Sequence, residues 1–190
     1  LKPKQKFSYP IKLLAVGSMT KNKDFPTLIR AMSKIDNTIH CHLTLIGSGP
    51  EEQSIKGMWS SLQLTAKASF IASVDYEKLL DYYESSDIFI SSSRIEGLPR
   101  VLQEAALAGL PIIATDFNGA KDLIFHSKTG LIVSIGDSNA LARAIESLIN
   151  NPRRALSIAK NGRACAQDFC NFAEVVNRLQ DSWRLLGKQI

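Results

Sequence analysis

The sequence predicts a doubly wound α/β domain with a six-stranded parallel sheet and a C-terminal helical tail. Three observations carry that prediction. Six short runs are almost wholly apolar: IKLLAV (11–16), CHLTLI (41–46), KASFIA (67–72), DIFISS (87–92), LPIIAT (110–115) and GLIVSI (130–135). Strands apolar on both faces belong in a parallel sheet covered on both sides by helices. Amphipathic stretches near 25–35, 51–63, 76–85, 99–108, 119–124 and 138–149 alternate with those runs and supply the helices. After Asn150 the strand pattern stops. Residues 152–186 read as two helices, the second near 172–186 with Val175, Val176, Leu179 and Trp183 along one stripe. Residues 1–10 (LKPKQKFSYP) are basic, polar and Pro-containing, the composition of a tail or linker. The expected division is therefore 1–10, 11–150 and 151–190.

Composition narrows the class. The 190 residues are 45% hydrophobic and 22% charged, with 11 Gly and 7 Pro, which excludes disordered, collagenous and low-complexity chains. A chain this long buries roughly 70% of its unfolded surface, enough for a core without staples. No apolar run reaches the ~18 residues of a membrane helix, and the basic start lacks the apolar stretch of a secretory signal. Cys41, Cys165 and Cys170 are odd in number and lack metal-ligand spacing, so they read as reduced thiols of a cytosolic protein. The net charge of +5, from 23 basic and 18 acidic residues, is mild and scattered, and no nucleic-acid partner is expected. His40 and His42 alternate along one strand and His126 lies in a distant loop, so no metal site is expected.

In a doubly wound sheet, ligands bind beyond the carboxyl ends of the strands, where the strand order reverses. The segments that follow each strand therefore matter most. In GSMTKNKDFPTLIRAM (17–32), Gly17 ends the first strand, Asp24 is placed to cap the next helix, and Lys21 and Lys23 lie in the loop between. A lysine is a flexible point charge suited to phosphate, although two solvated loop lysines would leave the same pattern. In LIGSGPEEQ, Gly47 and Gly49 resemble part of a dinucleotide fingerprint, but Glu52 stands where its third glycine belongs. A tight turn with Pro50 at a helix start explains them equally well.

The strongest segment is SSSRIEGLPRVLQEAALAGLPIIAT (91–115). Gly97 allows close backbone approach, and Pro99 suits the first turn of a helix whose N-terminus attracts phosphate. Glu96 precedes that helix, and Glu104 lies within it, at most about 12 Å away at the helical rise. That spacing is too long for the carboxylate pair of a retaining glycosidase, which needs ~5 Å, but suits a grip on opposite ends of an elongated ligand. Glu104 stands in an apolar context, VLQ before it and AALAG after it, where a carboxylate calls for a partner. In TDFNGAKDLI (115–124), Asn118–Gly119 signals a turn that opens a short helix facing the same cleft, with Asp122 as a cap or a solvated residue.

Taken in order, these motifs resemble the C-terminal, donor-binding domain of retaining GT-B glycosyltransferases, the glycosyl transferases group 1 and glycogen synthase-like superfamily. The resemblance covers roughly residues 11–150. It rests chiefly on the Glu-x7-Glu motif EGLPRVLQE (96–104), supported by Gly17 with Lys23, by LIGSGPEE and by the NG turn before GLIV. It implies a Rossmann-like sheet forming one half of a GT-B fold. It also implies transfer of a hexosyl group, with retained configuration, from a UDP-, GDP- or ADP-linked sugar to an acceptor glycan or lipid-linked glycan. No cofactor or metal is implied beyond that donor.

By the same resemblance Lys23 binds the diphosphate and Glu96 lies by the donor sugar, the two catalytic positions. Glu104 holds the ribose hydroxyls. Gly17, Ser18 and Lys21, with the backbone of Gly97, Leu98, Pro99 and Arg100, lie by the sugar and phosphates, and Pro99 has no N–H to give. The base rests near the strand end at Phe70–Ser73, including Ala72. Two departures stand out. The family commonly has arginine where Ser18 stands, so stabilisation of the leaving group falls to Lys23, joined by Lys21. Ala72 replaces a family glycine and narrows the base pocket.

The family carries its acceptor site on a separate N-terminal domain. The expectation is a fragment without that domain, binding nucleotide-sugar with little or no transfer activity alone. The implied location is cytoplasmic, with a peripheral position at the cytoplasmic membrane face as an alternative; Arg153, Arg154, Lys160 and Arg163 in the tail read most simply as a solvated face. Two rival functions fit the same architecture: a nucleotide-sugar epimerase, and a non-catalytic nucleotide-binding or regulatory domain, which Ser18 favours. A dinucleotide dehydrogenase is weaker, because the glycine pattern after the first strand is lacking.

Overall fold

A computed structural model describes residues 5–64, 68–97 and 99–169. Six strands, β1 (Ile11–Val16), β2 (Cys41–Ile46), β3 (Ala68–Ile71), β4 (Ile88–Ser91), β5 (Ile112–Thr115) and β6 (Leu131–Val133), form one sheet in the order β3-β2-β1-β4-β5-β6. Every pairing is parallel. The order reverses between β1 and β4, so their carboxyl ends flank the crevice where ligands bind in such sheets.

Helices α1 (Phe25–Met32), α2 (Glu52–Ser61), α3 (Tyr76–Ser85), α4 (Arg100–Leu107), α5 (Ser138–Asn150) and α6 (Pro152–Phe169) cover both faces. Side chains alternate along each strand, and the core divides accordingly. Leu13, Leu43 and Ile90 meet Leu28 of α1, Ile55 of α2 and Ile145 of α5 on one face. Leu14, Phe89 and Ile112 meet Tyr83 of α3, Leu102 of α4 and Ala166 of α6 on the other.

Several elements differ from the sequence expectation. The stretch 119–124 is not a helix but a single 3-10 turn, Asn118–Ala120, followed by one bend in which Ile124 N–H reaches Ala120 O at 2.8 Å. Six residues are too few to repay helix nucleation. The fifth strand starts at Ile112 rather than Leu110, because Leu110 N–H closes the end of α4 onto Ala105 O and Pro111 has no N–H. Residues 152–169 form the first tail helix, whereas the expected second helix near 172–186 and Cys170 lie outside the described residues. Of the segment expected as a tail or linker, Phe7 and Ser8 lie against the domain. Phe7 packs on the core, and Ser8 N–H and Lys12 N–H both donate to the buried Asp87 carboxylate, at 3.0 and 2.8 Å. Among the described residues, no helix is long and apolar enough to cross a membrane.

Candidate functional site

The loop after β1 is shaped by a lysine lying over a glycine. A Cβ built on Gly17 would fall 2.9 Å from Lys23 Cε and 3.1 Å from its Cδ, so any other residue would push that side chain from its place. Lys23 ends a 3-10 turn, Lys21–Lys23, and α1 follows directly. Asp24 stands at the N-cap position expected for it, but its carboxylate turns away from the helix N–H groups. It accepts from Thr27 Oγ1 at 2.9 Å and pairs with Arg94 Nε at 3.0 Å. Its backbone is left-handed, φ 44°, a conformation that aspartate tolerates better than most residues. The turn is thus pinned at the residue next to Lys23.

The loop after β4 meets this turn along its length. Ser92 Oγ donates to Lys23 O at 2.8 Å, and Arg94 N–H donates to Asn22 O at 2.7 Å. Lys23 Nζ lies 2.8 Å from Glu96 Oε1, and the Ser93 hydroxyl donates to the same carboxylate oxygen. The two loops at the switch point are therefore cross-linked as one unit. A third loop supports them from below: Thr115 Oγ1 donates to Ser93 O, and Gly119 N–H reaches Glu96 O at 3.3 Å. A Cβ on Gly119 would fall 2.3 Å from Gly97 O, so that glycine is required by the close packing of the loop above it.

Gly47 and Gly49 have a structural explanation of the same kind. Their Cβ atoms would fall 1.8 Å from Gly17 O and 2.6 Å from Met19 O. These glycines let the β2 loop press onto the β1 loop, with Met19 N–H bonded to Ser48 O at 2.9 Å. Gly97, by contrast, is exposed, and a Cβ there would meet open space. Leu98 lies outside the described residues. Pro99 takes the N-cap position of α4, where it offers no capping side chain, and Arg100 is exposed at the first helical residue.

Two cavities open on these loops. One of about 280 Å³ lies at the ends of β1, β2 and β3, lined by Gly17, Ser18, Gly47, Ala72, Val74 and Leu79 among others. The other, about 390 Å³, is lined by Lys21, Asn22, Asp24, Glu51, Arg94 and Ile95 among others. Lys21 thus borders a different space from Gly17, over which Lys23 lies. Phe70 lies at the inner side of the β3 end. Its ring packs edge-on to Trp59 at 5.7 Å, against the core, and it does not line the first cavity. Ala72 and Ser73, just past the end of β3, line it instead.

Glu104 stands on α4 between the buried residues Leu102 and Ala105, and is itself half-buried. The hydroxyl of Tyr83, from α3, donates to its Oε2 at 3.0 Å. Burial of Tyr83, reinforced by the Glu104 charge, pushes the phenol far above its ordinary range and keeps it protonated. Among the described residues no group of three His, Cys, Asp or Glu side chains is placed to hold a metal ion. His42 Nε2 lies 2.9 Å from Ser69 Oγ, and His126 Nδ1 accepts from Ile132 N–H at 3.0 Å.

Sequence reasoning missed the cross-links made by Ser92, Ser93 and Arg94, the support from Gly119, and the Tyr83 partner of Glu104. The SSSR run after an apolar strand was a signal for the first three. Nothing in the linear spacing of Tyr83 and Glu104 pointed to their meeting.

The class follows from the fold and the site together: an α/β domain of Rossmann-like architecture, with a lysine–glutamate pair at the switch point of its sheet and a cavity at the neighbouring ends of β1, β2 and β3. The chain belongs to the glycosyl transferases group 1 family, whose family model matches residues 1–164. It is 30% identical over 159 residues to an uncharacterized glycosyltransferase of Haemophilus influenzae, covering 83% of this chain and 44% of that protein. It is 27% identical over 164 residues to a GDP-mannose-dependent alpha-(1-6)-phosphatidylinositol monomannoside mannosyltransferase of Mycolicibacterium smegmatis, covering 82% and 43%. Among solved structures, sucrose-phosphate synthase from Thermosynechococcus elongatus superposes with a TM-score of 0.82 at 29% identity, covering 95% of this chain and 46% of that one. The chain therefore spans less than half the length of these proteins.

Proposed function

We propose that this chain binds the nucleotide-diphosphate-sugar donor of a retaining glycosyltransferase, which transfers a hexosyl group to an acceptor hydroxyl. The observation that carries the reading is the Lys23–Glu96 pair, set over Gly17 at the switch point and beside the cavity at the ends of β1, β2 and β3. In this reading the base enters that cavity near Ala72 and Ser73, and Glu104 accepts from the ribose hydroxyls. The diphosphate lies between Lys23 and the first turn of α4.

The chemistry to be assisted is charge growing on the departing phosphate. Lys23 and the positive end of α4 oppose that charge electrostatically, from positions fixed before the donor arrives. In the free protein Glu96 neutralises Lys23, and an arriving diphosphate competes for the ammonium. Glu96, held by Ser93, then orients the sugar hydroxyls rather than attacking the anomeric carbon. Open space at Gly97 gives the ligand a close approach to backbone. The acceptor, a glycan or lipid-linked glycan, is taken to bind on a separate N-terminal domain as in the family at large.

The deciding experiment is calorimetric titration of the chain with UDP, GDP and ADP, with Glu104→Ala beside it. Preferential binding of one diphosphate, weakened in the variant, supports the donor site and identifies its base. Equal binding by the variant removes Glu104 from the ribose. Absence of binding by all three rejects the donor reading for this chain.

A further inference from the structure

Tyr83 is completely buried within an apolar cluster, yet its side chain carries a hydroxyl. Its ring packs against Phe89 of β4, centroids 5.8 Å apart, and its hydroxyl donates to Glu104 Oε2 at 3.0 Å. It stands four residues after Leu79 on α3, so the two share a helix face, and Leu79 lines the cavity at the strand ends. A single face of α3 thus borders the cavity and holds the carboxylate of α4.

We infer that Tyr83 is the positioning residue for Glu104, holding one carboxylate oxygen so that the other is presented to a vicinal diol of the ligand. The inference rests on the donor-binding reading above. Two alternatives frame it. Phenylalanine would fill the same core without a hydroxyl needing a partner, so packing alone does not call for tyrosine. A lysine or arginine would also hold Glu104, but would neutralise it and compete with ligand hydroxyls for the same oxygens. Among the described residues the Glu104 carboxylate meets no cation. A neutral phenol fixes its direction and leaves its charge for the ligand. Burial keeps that phenol protonated, so it is a donor throughout the working pH range.

The test is a cycle of protein and ligand. The wild-type chain, Tyr83→Phe and Glu104→Ala are titrated with the nucleoside diphosphate that binds best and with its 2′,3′-dideoxy counterpart. The expected result is that Tyr83→Phe weakens the ribonucleotide about fivefold to tenfold and leaves the dideoxy ligand unchanged, as loss of one positioned hydrogen bond implies. Adding Tyr83→Phe to Glu104→Ala should then cost nothing further, because the two act as one unit. Tyr83→Met, which fills the core without a hydroxyl, must give the same pattern. Equal losses for both ligands, or no loss for either, would leave Tyr83 a packing residue and overturn the inference while the donor reading stands. A wild-type chain that binds no nucleoside diphosphate would overturn both.

Discussion

Lys23 Nζ and Glu96 Oε1 lie 2.8 Å apart, with their side chains only 18% and 13% exposed. The cation that the donor reading assigns to the diphosphate is therefore already neutralised in the free protein. Replacing Glu96 by glutamine frees that charge while keeping the shape. Glu96→Gln should bind the free nucleoside diphosphate about threefold to tenfold more tightly, the range for removing a competing charge-assisted contact. Transfer from the nucleotide-sugar should fall, since the sugar loses its orienting carboxylate. Lys23→Ala should lose both. Calorimetry and an assay of transfer from the nucleotide-sugar check the set, and weaker diphosphate binding by Glu96→Gln would show that the pair does not compete with ligand.

Two glycines near Glu96 predict opposite results for the same substitution. Alanine at Gly119 would set its Cβ 2.3 Å from Gly97 O and 3.1 Å from Glu96 O, contacts that force the loop outward. Gly119→Ala should destabilise the domain by about 1–3 kcal/mol, the usual cost of overpacking, and weaken donor binding with it. At Gly97 the added methyl meets open space. Gly97→Ala should leave the melting temperature within about a degree or two and, on the donor reading, still weaken donor binding, because that reading brings the ligand against this backbone. Thermal melts alongside titrations separate the two, and a Gly97→Ala variant with unchanged affinity would take that backbone out of the ligand contact.

Gly57 lies exposed in the interior of α2, and its Cβ position is empty within 4 Å. Here the glycine has only its entropic cost. Gly57→Ala should stabilise the domain by roughly 0.5–1 kcal/mol, raising the melting temperature by about 1–4 °C, with donor binding unaffected. A lower melting temperature would mean that the helix is held by something other than its own propensity.

The fold was legible because its signal is periodic and local. Runs such as IKLLAV and CHLTLI coincide with β1 and β2 residue for residue, since strands covered on both faces are mostly apolar, here interrupted by exposed Lys12 and by half-buried His42 and Thr44. At the candidate site the sequence named Lys23 and Glu96 separately, through the resemblance, and the structure brings their side chains together. What escaped was contact between segments distant in sequence. The resemblance named the strand end Phe70–Ser73 as a stretch, and only the structure shows that the Phe70 ring packs on Trp59 while Ala72 and Ser73 line the cavity. Tyr83 reads in sequence as one of two adjacent tyrosines on an amphipathic helix. Only the packing of α3 beside α4 sets its hydroxyl on Glu104.

That same hydroxyl makes stability depend on pH in a defined direction. In the unfolded chain the Tyr83 phenol ionises near pH 10. In the folded chain burial, joined by the Glu104 charge, pushes its ionisation well above that. Between the two values the unfolded state sheds a proton that the folded state keeps, so this group's contribution is intact below about pH 10 and is lost above it. The loss amounts to about 1.4 kcal/mol per pH unit. At neutral pH Tyr83→Phe should be less stable than wild type by about 1 kcal/mol, the net worth of one buried hydrogen bond. Phenylalanine cannot ionise, so the deficit should shrink between pH 10 and 11 and approach zero or reverse. Every other tyrosine and lysine is common to both proteins and cancels in the comparison. Denaturant unfolding of the pair at pH 8, 10 and 11 measures the difference directly. A deficit constant across that range would mean that the phenol ionises equally in both states, and that its site is open to water.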